Sequence, residues 1–156
     1  MQYPGYNSNT VKLLEGKFYT FKIHNLVRLQ DDAYYFVLLD INGMKHFIPA
    51  AFYEHYGLSK GNEIICKIDK INCTGRIILE PLHPVYREGE VYNFDIAETP
   101  VAHDKHAIFV KDVFNNCIEA KVNDHRYFEI APQSCIKCSI ISLKKGRPEL
   151  EVCTQS

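Results

Sequence analysis

Two glycine–arginine pairs are the first residues whose type and spacing suggest binding chemistry. Gly75-Arg76 lies in "KINCTGRIILEPLHPVY" and Gly146-Arg147 lies in "SLKKGRPELEV", and each pair is followed by a leucine and a glutamate. Glycine tolerates the positive φ of a tight turn, so a hairpin is expected at each pair. On a rigid turn, the guanidinium of Arg76 is a planar fork that can bind a phosphate with two hydrogen bonds or stack on a base.

Six cysteines raise the question of a metal site. Cys135 and Cys138 have the spacing of half a zinc finger, but no second pair of ligands follows them. Residues three apart on a strand point to opposite faces, which does not suit chelation. His103 and His106 could hold a metal with Cys117, although a polar loop is the simpler interpretation. We expect buried, reduced thiols and neither a metal nor another cofactor.

The sequence gives no support for catalysis. It has no Gly-rich phosphate loop, no nucleophile elbow and no carboxylate pair whose spacing suggests a shared site. Residues 1–87 carry ten Lys and Arg against eight Asp and Glu, whereas residues 88–156 carry eight against eleven. Neither half is basic enough to bind duplex by charge alone. We expect a protein that is not an enzyme, in which any nucleic-acid binding depends on local contacts and stacking.

The chain contains an internal repeat with a spacing of about seventy residues, which suits two small domains in tandem. "EGKFYTFKI", from Glu15, matches "EGEVYNFDI", from Glu88. Further matches keep the same order in both copies: Phe36 with Phe109, Val37 with Val110, Asn42 with Asn115, Cys66 with Cys138, and Arg76 with Arg147 one residue out of step.

Alternating apolar residues predict β-strands in both copies. One face of the first strand is apolar in each copy and should be the core: Tyr19, Phe21 and Ile23, and later Tyr92, Phe94 and Ile96. Further strands are predicted at Tyr34–Ile41, Met44–Ile48, Ile64–Ile71 and Arg76–Glu80, with Asn42-Gly43 as a hairpin turn. The segment "PAAFYEHYGLSKG" predicts a short helical turn. The fold class is therefore all-β: two tandem five-stranded OB-fold barrels, with a short helix between strands three and four.

Five short sequence motifs occur in order along residues 15–80: the opening glycine, the "FV" of strand two, "NGMKHFIPA", "KGNEI" and "GRIIL". Together they resemble the S-one-type RNA-binding domain, a branch of the OB fold also found in polynucleotide phosphorylase. The second copy, residues 88–151, keeps only the opening, the Phe-Val pair and the final Gly-Arg pair. It resembles a diverged relative of the same domain.

The resemblance implies an RNA-binding surface on strands two and three and on the turn between strands four and five. The strand-two aromatic of the family falls on Phe36, and its turn arginine falls on Arg76. This sequence departs from the family at Asn72, which replaces an acidic residue, and at Pro49, which replaces a histidine. Nearby rings can compensate, since any aromatic or imidazole face can stack a base: Tyr34, Tyr35, His46 and Phe47. The predicted nucleic-acid-binding set is Tyr34, Phe36, His46, Phe47, Asn72 and Arg76.

Two functions stay open. In the first, the first copy binds single-stranded RNA, with single-stranded DNA not distinguished, because splayed bases can reach a stacking surface. The recurrence of Phe36 and Arg76 in the second copy favours this function, although Tyr35 and Phe47 could instead fill the inside of the barrel. In the second, both barrels are protein-interaction modules or accessory subunits of a larger complex. The acidic second copy suits a structural brace or a protein partner better than RNA.

The predicted organisation is an N-terminal arm at 1–10, a first domain at 11–83, a proline-stiffened linker at 84–87 and a second domain at 88–156. No apolar run approaches the length of a membrane helix, and the N-terminus lacks the features of a signal peptide. We expect no membrane association and a cytoplasmic protein.

Overall fold

The computed structural model describes residues 10–98, 107–122 and 135–153. The chain divides into two compact units, the first ending at Leu82 and the second beginning at His83. Both units are built mainly of β-strands, and each has its own hydrophobic core. Among the residues described, no helix is long and apolar enough to cross a membrane.

The first unit is a five-stranded antiparallel sheet with barrel-like curvature. Its strands are β1 (Phe18–Arg28), β2 (Tyr34–Leu39), β3 (Lys45–Pro49), β4 (Glu63–Ile71) and β5 (Ile77–Pro81), in the order β3-β2-β1-β4-β5. A 3-10 helix, Ala50–Tyr56, lies between β3 and β4 and is followed by Gly57 with a φ of 68°. The predicted strands two to five are present, with ends shifted by one or two residues. The first strand is longer than the pattern shows, because a register shift after Ile23 lets it continue along β2.

The second unit closes into a barrel. Its strands are β6 (Val91–Glu98), β7 (Ala107–Lys111), β8 (Cys117–Lys121), β9 (Cys135–Lys144) and β10 (Arg147–Val152). Closure comes from parallel pairing of β10 with β8, which joins Leu150 to Ala120. The short helix predicted for this copy would fall within 123–134, outside the described residues. Residues 1–9 of the predicted arm, His103 and His106 lie outside them too.

The apolar face predicted for the first strand of each copy is confirmed as the core face. Phe21 and Ile23 are almost completely buried, and Tyr19 packs against the same core. In the second unit Phe94 is 2% exposed, and its neighbours on that face also pack inward. Alternation alone therefore identified the inner side of the first strand in both units.

A tyrosine clasp precedes the first strand of the first unit. The Leu14 amide donates a hydrogen bond to the Tyr19 hydroxyl at 2.9 Å, and the Lys12 carbonyl lies 3.4 Å from the same hydroxyl. Leu13, between them, is buried in the core. The segment before β1 is thereby an integral part of the unit.

The same clasp begins the second unit. The Arg87 amide donates to the Tyr92 hydroxyl at 2.9 Å, and the Val85 carbonyl lies 3.3 Å from that hydroxyl. Tyr86 is buried in the second core, at the position that Leu13 takes in the first. Residues 84–87, predicted as a linker, thus occupy in the second unit the place of residues 11–14.

Strand register corrects the alignment of the two copies. Ile23 pairs with Leu38 in the first unit, and Ile96 pairs with Val110 in the second. Since Ile23 and Ile96 are matched residues of the first strands, Leu38 corresponds to Val110. The sequence match of β2 with β7 is therefore wrong by one residue.

This correction changes the counterpart of Phe36. Val37 corresponds to Phe109, and Phe36 corresponds to Ile108, which is buried in the second core. The recurrence of an aromatic residue at the position of Phe36, inferred from sequence, does not exist in the fold.

The hairpin turns support the corrected alignment. The Gly43 amide donates a hydrogen bond to the Asp40 carbonyl at 2.9 Å, and the Asn115 amide donates one to the Asp112 carbonyl at 3.0 Å. Gly43 and Asn115 have φ values of 79° and 65°. Asn115 therefore corresponds to Gly43 and not to Asn42, and it adopts the left-handed conformation that asparagine tolerates better than most residues.

A buried histidine supports the start of the second unit. His83 is 1% exposed, and its Nδ1 accepts hydrogen bonds from the amides of Val85 and Tyr86, both at 3.0 Å. Its ring stacks on Tyr86 and lies tilted against Phe114. Burial lowers the pKa of His83 to about 4, and the opposing charge of Asp112 only partly offsets that effect.

We expect the second unit to lose stability as the pH falls from about 6.5 towards about 4. In this window the unfolded chain binds a proton at His83 that the folded unit does not bind, whereas above it both states are neutral. Chemical denaturation, followed by NMR signals of the second unit, measures this dependence. The range above about pH 5 is the most informative, because most carboxylates stay ionised there. His83→Phe should flatten the pH dependence and exposed His24→Gln should not; an unchanged slope in His83→Phe would contradict the assignment.

Candidate nucleic-acid interface

The outer face of β2 and β3 carries two aromatic rings. Leu38 points into the core, so its strand neighbours on the other side, Tyr35 and Val37, belong to the outer face, although Val37 itself is only 5% exposed. Tyr35 pairs with Pro49, and Val37 pairs with Phe47, which is 45% exposed. Tyr35 and Phe47 are diagonal neighbours in this register, with Cα atoms about 7–8 Å apart. The alternative that these two rings fill the barrel is therefore wrong, and the four residues form an outward aromatic patch.

Two residues of the predicted site lie on the opposite side of the strands. Phe36 pairs with Ile48, which is buried, and packs against the same core. His46 pairs with Leu38, and its side chain is only 12% exposed. The His46 ring meets Phe21 edge to face, with centroids 5.9 Å apart. Neither ring shares the face that carries Phe47, so neither belongs to the aromatic patch.

Tyr34 takes an intermediate place. It is the first residue of β2, pairs with Arg28 and is 54% exposed. By strand alternation it is on the side of Phe36 and not on the side of Tyr35. Its ring is accessible to solvent, but it belongs to the face of β2 opposite to the face that carries Phe47.

The turn between β4 and β5 is shaped by Asn72. The Asn72 Oδ1 accepts hydrogen bonds from the Thr74 amide at 3.2 Å, the Thr74 hydroxyl at 2.7 Å and the Arg76 amide at 2.8 Å. Gly75 has a φ of 83° and donates its amide to the Asn72 carbonyl at 2.9 Å. Because its Oδ1 accepts three hydrogen bonds, Asn72 holds the turn from which the exposed side chain of Arg76 projects.

Tyr35 of the aromatic patch is hydrogen-bonded to Asp31 and is influenced by the charge of Arg76. The Tyr35 hydroxyl donates a hydrogen bond to Asp31 Oδ2 at 2.7 Å, and the Ala33 amide donates to Asp31 Oδ1 at 3.1 Å. The hydrogen bond from Tyr35 holds the pKa of Asp31 below its usual value. The same hydrogen bond raises the pKa of Tyr35, because ionisation of the Tyr35 hydroxyl would break it. The charge of Arg76 acts on the pKa of Tyr35 in the opposite direction. The sequence analysis named Tyr35 among the rings that could stack a base but left it out of the predicted set, because the apolar run of β2 does not alternate and so does not show which way the ring points.

The matching face of the second unit has different chemistry. Ala107 pairs with Lys121, and Phe109 pairs with Glu119. Ala107 therefore takes the place of Tyr35, and Glu119 takes the place of Phe47. The offset that matches Phe36 with Phe109 would place Ala120 there instead, but that residue is completely buried. One ring and a carboxylate replace the pair of rings.

The cysteines do not form a second candidate site. Cys66 and Cys138 are buried as predicted, and burial raises the pKa of both thiols, that of Cys138 to about 12. The prediction of buried thiols is wrong for Cys73, Cys117 and Cys135, which are exposed. In the parts of the chain that the structure describes, no three His, Cys, Asp or Glu side chains converge to hold a metal ion.

The candidate interface thus combines two outward rings with a guanidinium at one end, an arrangement that can stack planar groups and hold an anion. No known protein-family model matches the sequence, and no curated protein matches it.

Proposed function

We propose that the first unit binds single-stranded RNA on the outer face of β2 and β3. The observation that carries the proposal is that Tyr35 and Phe47 are diagonal neighbours on this face, with the charge of Arg76 acting on Tyr35. An aromatic ring contributes about 1–3 kcal/mol for each base that stacks on it. Bases of a single strand can reach such a surface, whereas those of a duplex cannot.

Each residue predicted from sequence has a role in this proposal. Arg76 binds a phosphate, and Asn72 positions Arg76 through the turn. Phe36 and His46 support β2 and β3 from the core side, and Tyr34, on that same side of β2, is accessible but lies outside the proposed surface. The protein acts by binding and not by catalysis. The choice of RNA over DNA rests on the resemblance to the S-one-type domain, and the five-stranded order of both units supports an OB fold.

The second unit is proposed as a structural brace or a protein-binding barrel. Phe109 is 37% exposed and stands beside Glu119, so an apolar ring and a carboxylate share one surface. A carboxylate repels phosphate, which makes this face unsuitable for RNA. A ring beside a charge suits contact with another protein, where aromatic residues contribute strongly.

Arg76→Ala should weaken RNA binding by about tenfold or more, because a hydrogen bond between charged partners contributes roughly 1.5–3 kcal/mol. The slope of log affinity against log salt should also become shallower by about 0.7, the value for one phosphate contact on a single strand. Fluorescence anisotropy with a short labelled RNA at several salt concentrations measures both quantities. The matched control is Arg147→Ala, at the corresponding turn of the second unit, which should change neither.

Two results would contradict the proposal. The first is no binding of the native protein to single-stranded RNA at low salt. The second is equal loss of affinity in Arg76→Ala and Arg147→Ala, which would place the site outside the outer face of β2 and β3. Competition with DNA of the same sequence shows whether the 2′-hydroxyl contributes to recognition.

A further inference from the structure

The outward residues of β2 lie in three rows that run across the sheet. Cross-strand partners in β1 and β3 complete each row: Val27, Tyr35 and Pro49; Asn25, Val37 and Phe47; Lys22, Leu39 and Lys45. Outward positions along a strand recur every second residue, or about 6.8 Å. The first two rows contain the four residues of the aromatic patch. The third places two exposed lysines on either side of Leu39.

We infer that Lys22 and Lys45 bind the phosphate backbone of the same RNA strand, opposite to Arg76, and that the footprint is three nucleotides. This inference rests on the proposed function. The row of Tyr35, where Arg76 acts, and the row of Leu39 are four residues apart along β2, which is about 13 Å. A stacked strand rises about 3.4 Å per nucleotide, half the spacing of the rows, so a strand that places one base on each row must be splayed and not stacked. One nucleotide therefore corresponds to one row.

The row of lysines gives the site a cationic group at each end. The charge of Arg76 acts on Tyr35 in the first row, and Lys22 and Lys45 lie in the third, so the two rings have positive charge towards both ends of the site. Glu63 of β4 pairs with Lys22 of β1 and reduces the local positive charge, but the row remains positive. A phosphodiester chain needs this alternation of cations and apolar faces, and an apolar peptide does not.

The second unit supports this inference by contrast. Asp95 pairs with Lys111, which pairs with Cys117, so Asp95 and Cys117 take the places of Lys22 and Lys45. Both flanking cations are absent from that row, one of them is replaced by a carboxylate, and the lysine that is present, Lys111, stands at the centre of the row. The loss of these cations accompanies the loss of the paired rings.

Lys22→Gln and Lys45→Gln should each make the salt slope shallower by about 0.7, and the double variant by about 1.4. Lys17→Gln is the matched control, because Lys17 precedes the part of β1 that pairs with β2; it should leave the slope unchanged. Glu63→Gln should tighten binding. Affinity for oligoadenylate RNA should rise from two to three nucleotides and change little beyond three. Circular dichroism and thermal unfolding establish that each variant is folded.

The outcomes separate this inference from the proposed function. If the native protein binds RNA but the double lysine variant keeps the full salt slope, the lysines do not contact phosphate and the inference is wrong. Affinity that continues to rise steeply to six nucleotides would overturn the three-nucleotide footprint. If the native protein binds no RNA, the proposed function fails and the inference fails with it.

Discussion

Replacing both Tyr35 and Phe47 by alanine should weaken RNA binding by about 2–6 kcal/mol, since each ring stacks one base for about 1–3 kcal/mol. Phe47→Ala alone should account for about half of the loss. Isothermal titration or anisotropy with a short single-stranded RNA measures the change. Both side chains lie on the outer face, so the free energy of unfolding should change much less than the free energy of binding.

Two matched variants sharpen this test. Phe109→Ala removes an exposed ring from the corresponding face of the second unit and should leave RNA affinity unchanged. Tyr35→Phe keeps the ring but removes the hydrogen bond to Asp31, so it should retain most of the affinity. Unchanged affinity in the double alanine variant would exclude the aromatic patch as the binding surface. A loss in Tyr35→Phe equal to that in Tyr35→Ala would assign the effect to the loop and not to stacking.

Asp40→Ala should destabilise the first unit by about 1–3 kcal/mol, the cost of leaving buried hydrogen-bond donors without their acceptor. Asp40 Oδ1 accepts hydrogen bonds from the Asn42 and Met44 amides at 2.8 and 2.9 Å, and Oδ2 lies 2.8 Å from His46 Nε2. The side chain of Asp40 is 3% exposed. Its removal leaves the hairpin amides and the imidazole without their acceptor.

Chemical denaturation monitored by NMR signals of the first unit measures this loss. Asp32→Ala is the control, because Asp32 forms an exposed ion pair with Arg28 and such pairs contribute little. Asp112→Ala should destabilise the second unit less. Asp112 accepts from the Phe114 and Asn116 backbone amides in the same way, but its Oδ2 accepts a longer hydrogen bond, at 3.2 Å, from the Asn116 side chain. If Asp40→Ala and Asp32→Ala have equal effects, Asp40 does not hold the hairpin.

The alternation of apolar residues was sufficient to predict most of the strands. Phe21 and Phe94 were assigned to the core because their neighbours alternate with polar residues, and both are buried. The hairpin at Gly43 and the turn at Gly75 followed from the conformational freedom of glycine. These features are local, so neighbouring residues contain the information that determines them.

The direction of the site residues was less predictable. In β2 the apolar run Tyr34–Leu39 does not alternate, so its sequence is equally compatible with either face pointing inward. Only the pairing of Leu38 with Ile23 settles that Phe36 faces the core and Tyr35 faces outward. The same pairing showed that Phe109 is not the counterpart of Phe36.

By itself, the sequence determined the all-β character, the repeat and the turns, because periodicity and glycine positions act over a few residues. Tertiary structure decided which rings share a face, where Arg76 acts and how the second barrel closes. Those properties depend on strand register, and a shift of one residue in register reverses every side chain of a strand. Register is set by contacts between residues far apart in the chain, such as Ile96 with Val110 and Leu150 with Ala120.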